Sequence, residues 1–288
     1  MSTHERTALI ALWIIAAILV CCAAYIGLVD RGYDEVSFID VGEADSAFIK
    51  TRHHKAVLID GGNTGSGEYT LTDYLRSSFT PRLDAVFVSH MHDDHMNGVI
   101  ELINGGYPIS RIYVSRSSGA CDELSKPAEE HKIPISEIQK GDVIDIDNTK
   151  FTILADGYSA ADDDENDRSL IIRMDCGKNS FLFTGDATSN EESEILNDDV
   201  DVDFLKVGHH GSKTSSSKEF IEKVKPRFAL TGVGRDNSYN LPSKEKVAEF
   251  AEMKIPVLRT DLDGTVEIRL NENDILDIET YDFDTDNQ

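Results

Sequence analysis

Ser89-His90-Met91-His92-Asp93-Asp94-His95 carries the pattern H-x-H-x-D-H, three histidines and an aspartate within six positions. It follows Asp84-Ala85-Val86-Phe87-Val88, a short apolar run that reads as a strand delivering a loop. Residues two apart in an extended loop point the same way, so His90 and His92 share a face. Asp94 and His95 add a carboxylate oxygen and a third imidazole from the same loop. Neutral imidazole and carboxylate are the ligands of catalytic zinc and manganese sites, which keep one position open for water. The bland reading is a solvated polar turn after a strand. The rest of the chain argues against it by supplying matching ligands.

Two further strand ends carry the same chemistry. Ser180-Phe181-Leu182-Phe183-Thr184 runs into Gly185-Asp186-Ala187, and Phe204-Leu205-Lys206-Val207 runs into Gly208-His209-His210-Gly211-Ser212. A strand ending in a short glycine-containing loop can project a ligand from a rigid edge. Alone, Asp186 reads as a turn residue and His209-His210 as a surface pair. Together with H-x-H-x-D-H they complete a two-metal site with Asp186 bridging. Such metals stand about 3.5–4 Å apart and acidify a bridging water into a nucleophile. Upstream, Gly61-Gly62-Asn63-Thr64-Gly65-Ser66-Gly67 lacks the G-K-[ST] or G-x-G-x-x-G of a phosphate cradle. It reads as a tight turn beside the metal site.

The chain has 288 residues and a net charge of −25. With a membrane segment and a tail set aside, its length suits one large α/β domain. The charge argues against a broad basic face for gripping nucleic acid. It permits a phosphate-bearing substrate where metal cations supply the positive charge. Of the four cysteines, Cys21 and Cys22 lie in an apolar run and Cys121 and Cys176 are far apart; no C-x-x-C pair suggests a structural zinc. Residues 1–7 are short and polar. Residues 8–29 carry no charge and, at about 1.5 Å per residue, are long enough for the roughly 30 Å hydrocarbon core. They read as an uncleaved, single-pass anchor in the cell membrane, with a cleavable signal peptide as competitor. Arg6 on one side, and Arg31 among Asp30 and Asp34 on the other, place the domain outside the cytoplasm; cleavage would make it secreted. Residues 33–278 form the domain and 279–288 an acidic tail. Asp162-Asp163-Asp164-Glu165 is a solvated loop without EF-hand spacing.

Seven motifs stand in order: Asp40-Val41-Gly42-Glu43-Ala44-Asp45-Ser46, Leu58-Ile59-Asp60-Gly61-Gly62, Ser89–His95, Asn166-Asp167-Arg168-Ser169-Leu170, Phe183-Thr184-Gly185-Asp186, Val207-Gly208-His209-His210-Gly211-Ser212 and Leu258-Arg259-Thr260-Asp261. Over residues 36–270 the chain resembles the metallo-β-lactamase superfamily. Within it, the resemblance is to the soluble C-terminal domain of the ComEC/Rec2 competence DNA-uptake channel proteins and to stand-alone relatives of that domain. The resemblance implies a four-layer αββα sandwich with the site at one edge of two sheets. It implies that His90 and His92 hold a first divalent metal, zinc or manganese. Asp94 and His95 hold a second, Asp186 bridges, and one of His209 or His210, written here as His210, completes the shell. The other histidine of that pair gives a proton to the leaving oxygen. Asp60 orients the loop, and Asp45, Asn166, Ser212 and Asp261 lie near the site or substrate.

Three departures stand out. Gln and Gly of the usual D-V-G-Q-G-D-S are Glu43 and Ala44. No third-motif histidine serves the first metal, which leaves that position partly occupied. The late N-x-Y-G-H-P stretch reads Asn237-Ser238-Tyr239-Asn240-Leu241-Pro242, with Leu241 for histidine. The implied activity is metal-assisted hydrolysis of a phosphodiester, single-stranded DNA among the candidates. The competing readings are a phosphorylcholine-esterase-like or lactamase-like hydrolase and a non-catalytic binding module. One apolar segment cannot form a translocation pore, and no protein partner is defined.

Overall fold

The computed structural model describes residues 3–28, 31–63, 70–157, 165–235 and 237–281. In chain order the elements are α1 (Thr3–Leu28), β1 (Asp34–Phe38), β2 (Ala47–Lys50), β3 (Ala56–Ile59), α2 (Leu71–Ser77), β4 (Ala85–Val88), α3 (Asp93–Asn104), β5 (Ile112–Ser115), α4 (Asp122–Glu130), β6 (Ile135–Ile138), β7 (Val143–Ile146), β8 (Thr149–Ala155), β9 (Ile171–Cys176), β10 (Asn179–Phe183), α5 (Ser189–Glu194), β11 (Phe204–Lys206), α6 (Lys218–Val224), β12 (Phe228–Thr231), α7 (Lys244–Glu252), β13 (Val257–Arg259), α8 (Thr260–Asp263), β14 (Thr265–Leu270) and β15 (Ile275–Tyr281).

The strands form two sheets, β15-β14-β1-β2-β3-β4-β5-β6 and β13-β12-β11-β10-β9-β8-β7. Their inner faces share one apolar core, in which Phe38 stacks on Phe183 at 5.8 Å and Phe87 meets Phe151 at 5.1 Å. A second core lies under α2, α3 and α4, built around Tyr74, Leu102 and Leu124. A third lies under α5, α6 and α7, built around Ile195, Phe220 and Phe250. Helices thus cover both outer faces, which is the expected αββα sandwich. Strands β3–β6 and β10–β13 pair in parallel. Loops at the carboxyl ends of such strands are the usual place for a site. The ends of β3, β4, β10 and β11 carry Asp60, the histidine motif, Asp186 and the histidine pair.

Four expectations change. The histidine motif is not wholly a loop, because α3 begins at Asp93. Acidic Asp93 and Asp94 suit the positive end of a helix, so the motif itself starts it. Strand β6 and helix α5 are too short and polar to show a period in the sequence. Strand β15 runs through Tyr281, with Glu279 opposite Glu267, so residues 279–281 are paired strand and not tail. Ile275 and Ile278 anchor it against the core. The anchor expected over 8–29 falls in α1, whose described apolar side chains, Leu9 to Cys21, are exposed. Among the described residues no helix is long and apolar enough to cross a membrane, so the fold lends the anchor no support. The glycine loop beyond Asn63, Asp162–Asp164 and the tail beyond Tyr281 lie outside the described residues.

Candidate metal centre

The centre is built from the ends of strands. After β3, Asp60 takes a left-handed backbone, φ 58°, which turns its carboxylate toward the next strand. Its Oδ1 accepts the Ser89 backbone N–H at 2.7 Å and its Oδ2 lies 2.9 Å from His95 Nδ1. The same turn seats the first turns of α3. Gly61 N donates to His95 O at 2.7 Å, and Gly98 N to Gly62 O at 2.9 Å. A Cβ on Gly98 would stand 1.9 Å from Gly61 O, so only glycine lets the helix come this close.

On the second sheet, Asp186 follows Gly185 (φ 52°), and its N–H donates to Ser169 Oγ at 3.0 Å. After β11, His209 and His210 both take left-handed backbones, φ 48° and 51°. Two consecutive non-glycine residues in this region cost on the order of 1–3 kcal/mol each. The surroundings fix them: His209 N donates to Gly185 O at 3.3 Å, and His210 Nδ1 lies 2.7 Å from Gly232 O. Glu192 holds the following turn by accepting the N–H groups of Ser216 and Ser217.

With both Nδ1 atoms engaged, the Nε2 edges of His95 and His210 face inward. His95 Nε2 is 3.4 Å from Asp186 Oδ1 and 4.0 Å from Asp94 Oδ2. His210 Nε2 is 3.2 Å from Asp94 Oδ2 and 3.6 Å from Asp186 Oδ2. His95, Asp186 and His210 are buried, while the Asp94 side chain is 31% exposed and marks the mouth. His95 Nε2 and Asp186 Oδ1 are buried with no hydrogen-bond partner. Two orphaned ligand atoms aimed at each other, flanked by a carboxylate and a second imidazole, fit a divalent cation. Asp45 lies within reach as well: one ligand atom each from Asp45, His95, Asp186 and His210 fall within 4.8 Å of one another. Its Oδ2, however, faces the Nδ1 edge of His210 at 3.7 Å and the ammonium of Lys206. The same oxygen lies 4.0 Å from His95 Nε2 and has no hydrogen-bond partner, so Asp45 faces both the ligand edge and the lysine.

Electrostatically, the cluster is suited to receive a cation. Burial resists protonation of His95, yet Asp186 and Asp60 push its pKa well up. Burial also resists protonation of His210, and Asp45 and Asp186 lift its pKa to about 9. Burial works against ionised Asp186, but His210 and His95 hold its carboxyl well below the usual range. Burial likewise opposes ionisation of Asp94, and His210 and His95 hold it low. Protons on two imidazoles thus stand where a cation would neutralise the carboxylates.

The structure brings together Asp94, His95, Asp186 and His210, and Asp60 contacts Ser89 N and His95 Nδ1 beside them. His90 and His92 stand to one side. His90 Nε2 is 3.0 Å from His92 Nδ1, and the His90 ring is 4.1 Å from the His95 ring. His209 lies at the rim, 30% exposed, with Nε2 3.8 Å from Asp186 Oδ2. Two expected neighbours point their side chains elsewhere. Ser212 Oγ meets Thr214 Oγ1 at 3.0 Å and accepts the Thr214 N–H, because it closes the turn after the histidine pair. Asp261 pairs with Arg259 at 2.6 Å. Asn166 lies in a one-turn 3-10 helix, Glu165–Arg168, and its carbonyl accepts the N–H of Ser169. Lys206 and Ser169 were not expected here. A lone lysine inside the apolar run Phe204–Val207 was the available signal for the first.

The metallo-beta-lactamase superfamily matches residues 39–234. The chain belongs to the metallo-beta-lactamase superfamily. It carries the metal-dependent hydrolase fold of that superfamily, with a residue cluster that could bind a metal. It is 32% identical over 257 residues to ComE operon protein 3 of Bacillus subtilis, covering 82% of this chain and 33% of that protein. It is 27% identical to recombination protein 2 of Haemophilus influenzae, covering 81% of this chain and 28% of that protein. These relatives are competence proteins of the ComEC family, and the chain spans a third or less of their length. Among solved structures, the metallo-beta-lactamase fold protein YhfI of Bacillus subtilis superposes with a TM-score of 0.57 at 13% identity, covering 82% of this chain and 99% of that one. That likeness concerns the fold alone.

Proposed function

We propose that this chain is a metal-dependent phosphodiester hydrolase acting on nucleic acid, single-stranded DNA first among its substrates. The observation that carries the reading is the pair of orphaned atoms, His95 Nε2 and Asp186 Oδ1, converging with Asp94 and His210 at an open mouth. Zinc or manganese bound there would supply Lewis acidity and an acidified water. Asp94, His95, Asp186 and His210 hold the tighter of two ions. His90 and His92, with no third histidine, hold a weaker one. Asp60 and Gly232 O keep the two ligand imidazoles in the tautomer that offers Nε2. His209 sits at the rim beside Asp186. Burial lowers its pKa, which suits taking a proton from the attacking water better than the donor role implied by the resemblance. The DNA substrate is supported by the competence-protein relatives. Attachment to the membrane through residues 8–29 rests on that uncharged run alone, and is checked by whether the chain stays with membranes through an alkaline carbonate wash.

The test is to purify the chain, measure bound metal, and assay bis-p-nitrophenyl phosphate, single-stranded DNA and a β-lactam. We expect metal uptake, phosphodiester and DNA cleavage, and a loss of at least about 10³-fold in Asp186→Ala. Activity confined to the lactam removes the phosphodiester assignment. No metal uptake, or equal activity in Asp186→Ala, leaves a binding module in place of an enzyme.

A further inference from the structure

Lys206 is a buried cation in a central parallel strand, between β10 and β12. Its ammonium donates to Gly185 O at 2.8 Å, pairs with Asp45 Oδ2, and stands 3.6 Å from Asp186 Oδ1. Among the described residues it is the only Lys or Arg paired with any of Asp45, Asp60, Asp94 and Asp186. A buried ammonium costs several kcal/mol unless it is paired and hydrogen-bonded. Here every contact is to a carboxylate or a carbonyl of the metal centre. It reaches Asp186 through Oδ1, the oxygen that also faces His95 Nε2, and it pairs with the Asp45 oxygen that stands 4.0 Å from the same nitrogen.

We propose that Lys206 is the built-in counter-cation of the metal-free centre: it holds Asp45 and Asp186 in place before metal arrives and keeps Asp45 from becoming a ligand. The inference rests on the metal-centre reading and adds to it a role for a residue outside the ligand set. Three consequences follow from the geometry. The domain folds without metal, on a preformed set of ligands. The ammonium and the incoming ion share Asp186, so Lys206 weakens metal binding while positioning the carboxylate that makes it. Once the ammonium is gone, Asp45 and Asp186 face one another with no fixed cation, and a divalent ion becomes the group that neutralises them.

The experiment compares full-length wild type, Lys206→Met, Asp45→Asn and Asp45→Asn/Lys206→Met, stripped with chelator and then titrated with Mn²⁺. Melting temperature and Mn²⁺ affinity by calorimetry are read for each. For metal-free Lys206→Met we expect a fall on the order of 10 °C, since breaking one partner of a buried pair is strongly destabilising. Mn²⁺ recovers most of that fall, a larger rise than in wild type, and binds at least about tenfold tighter. The double variant melts near wild type without metal, because both charges leave together. A melting deficit that Mn²⁺ does not reduce, or an affinity equal to or weaker than wild type, overturns the role of Lys206 and leaves an ordinary structural ion pair. Should Lys206→Met fail to fold with or without Mn²⁺, the double variant is compared with Asp45→Asn: tighter Mn²⁺ binding supports the inference, equal binding overturns it. Wild type that takes up no Mn²⁺ overturns the metal-centre reading itself, and this inference with it.

Discussion

At the scale of single residues, a cation entering the centre would displace protons from its imidazoles. His210 must be neutral to offer Nε2 to a metal, and Asp45 and Asp186 lift its pKa to about 9. A raised pKa means that protons compete with metal up to that value. Apparent Mn²⁺ affinity should therefore climb between pH 6 and pH 9, by up to about tenfold per pH unit for each proton released, and the His210 part of that rise should end above about pH 9. Calorimetric titration in buffers of different ionisation enthalpy checks both the slope and the proton count; a flat profile would remove His210 from the ligand set. A second residue makes a prediction far from the chemistry. Glu191 is buried with neither carboxyl oxygen hydrogen-bonded. Burial, reinforced by Asp167, raises its pKa well above the ordinary 4.5. The folded chain thus holds this proton more tightly than the unfolded chain does. The stability it contributes is full below about pH 4.5 and is lost as pH rises through the folded value. Glu191→Gln should raise the melting temperature at pH 8, by the equivalent of about 1.4 kcal/mol for every factor of ten by which folding tightens the hold on that proton. The gain should shrink toward pH 4.5. An equal gain at both pH values would contradict the mechanism.

At the scale of elements, α3 shows what was legible and what was not. The alternation of histidines told that a loop of ligands follows β4. It did not tell that Asp94 and His95 sit on the first turn of a helix, because a motif chosen for chemistry hides the helical period. The long apolar strands, the hairpin at Asp147-Asn148 and the helices with clear amphipathic faces were readable. Strand β6 and helix α5 were not, since four to six residues with mixed burial carry too little pattern. Lys206 was invisible as a site residue: only the parallel pairing of β10 with β11 places it under Gly185. Gly98 was equally mute, and its meaning is purely one of contact. Gly98→Ala forces α3 off the Asp60–Gly62 turn and should cost on the order of 2–4 kcal/mol. It should also weaken Mn²⁺ binding, because His95 rides on the same turn. Denaturant melts with and without metal test this; a substitution costing under about 0.5 kcal/mol would mean that the helix shifts freely.

At the scale of the whole molecule, three cores and two sheets form one body, from which the described apolar side chains of α1 stay exposed. Removing residues 1–30 should leave the melting temperature within about 3 °C of the full chain. A larger loss would show that α1 docks on the domain. Because Arg31 pairs with Glu35 at 2.6 Å, a cut beyond Arg31 is expected to be less benign. The last consequence concerns the order in which the protein is made. Asp94 and His210 lie 116 residues apart in the chain, and Glu43 accepts the N–H of Gly234 across 191. Closing such distances comes late in folding. A chain still on the ribosome that has exposed only β1 to β6 presents histidines but no Asp186, no His210 and no carbonyl of Gly232 to orient it. The ligand cluster therefore assembles in one step, only after the chain has been made through Gly232, and no earlier length of chain offers a partial version of it.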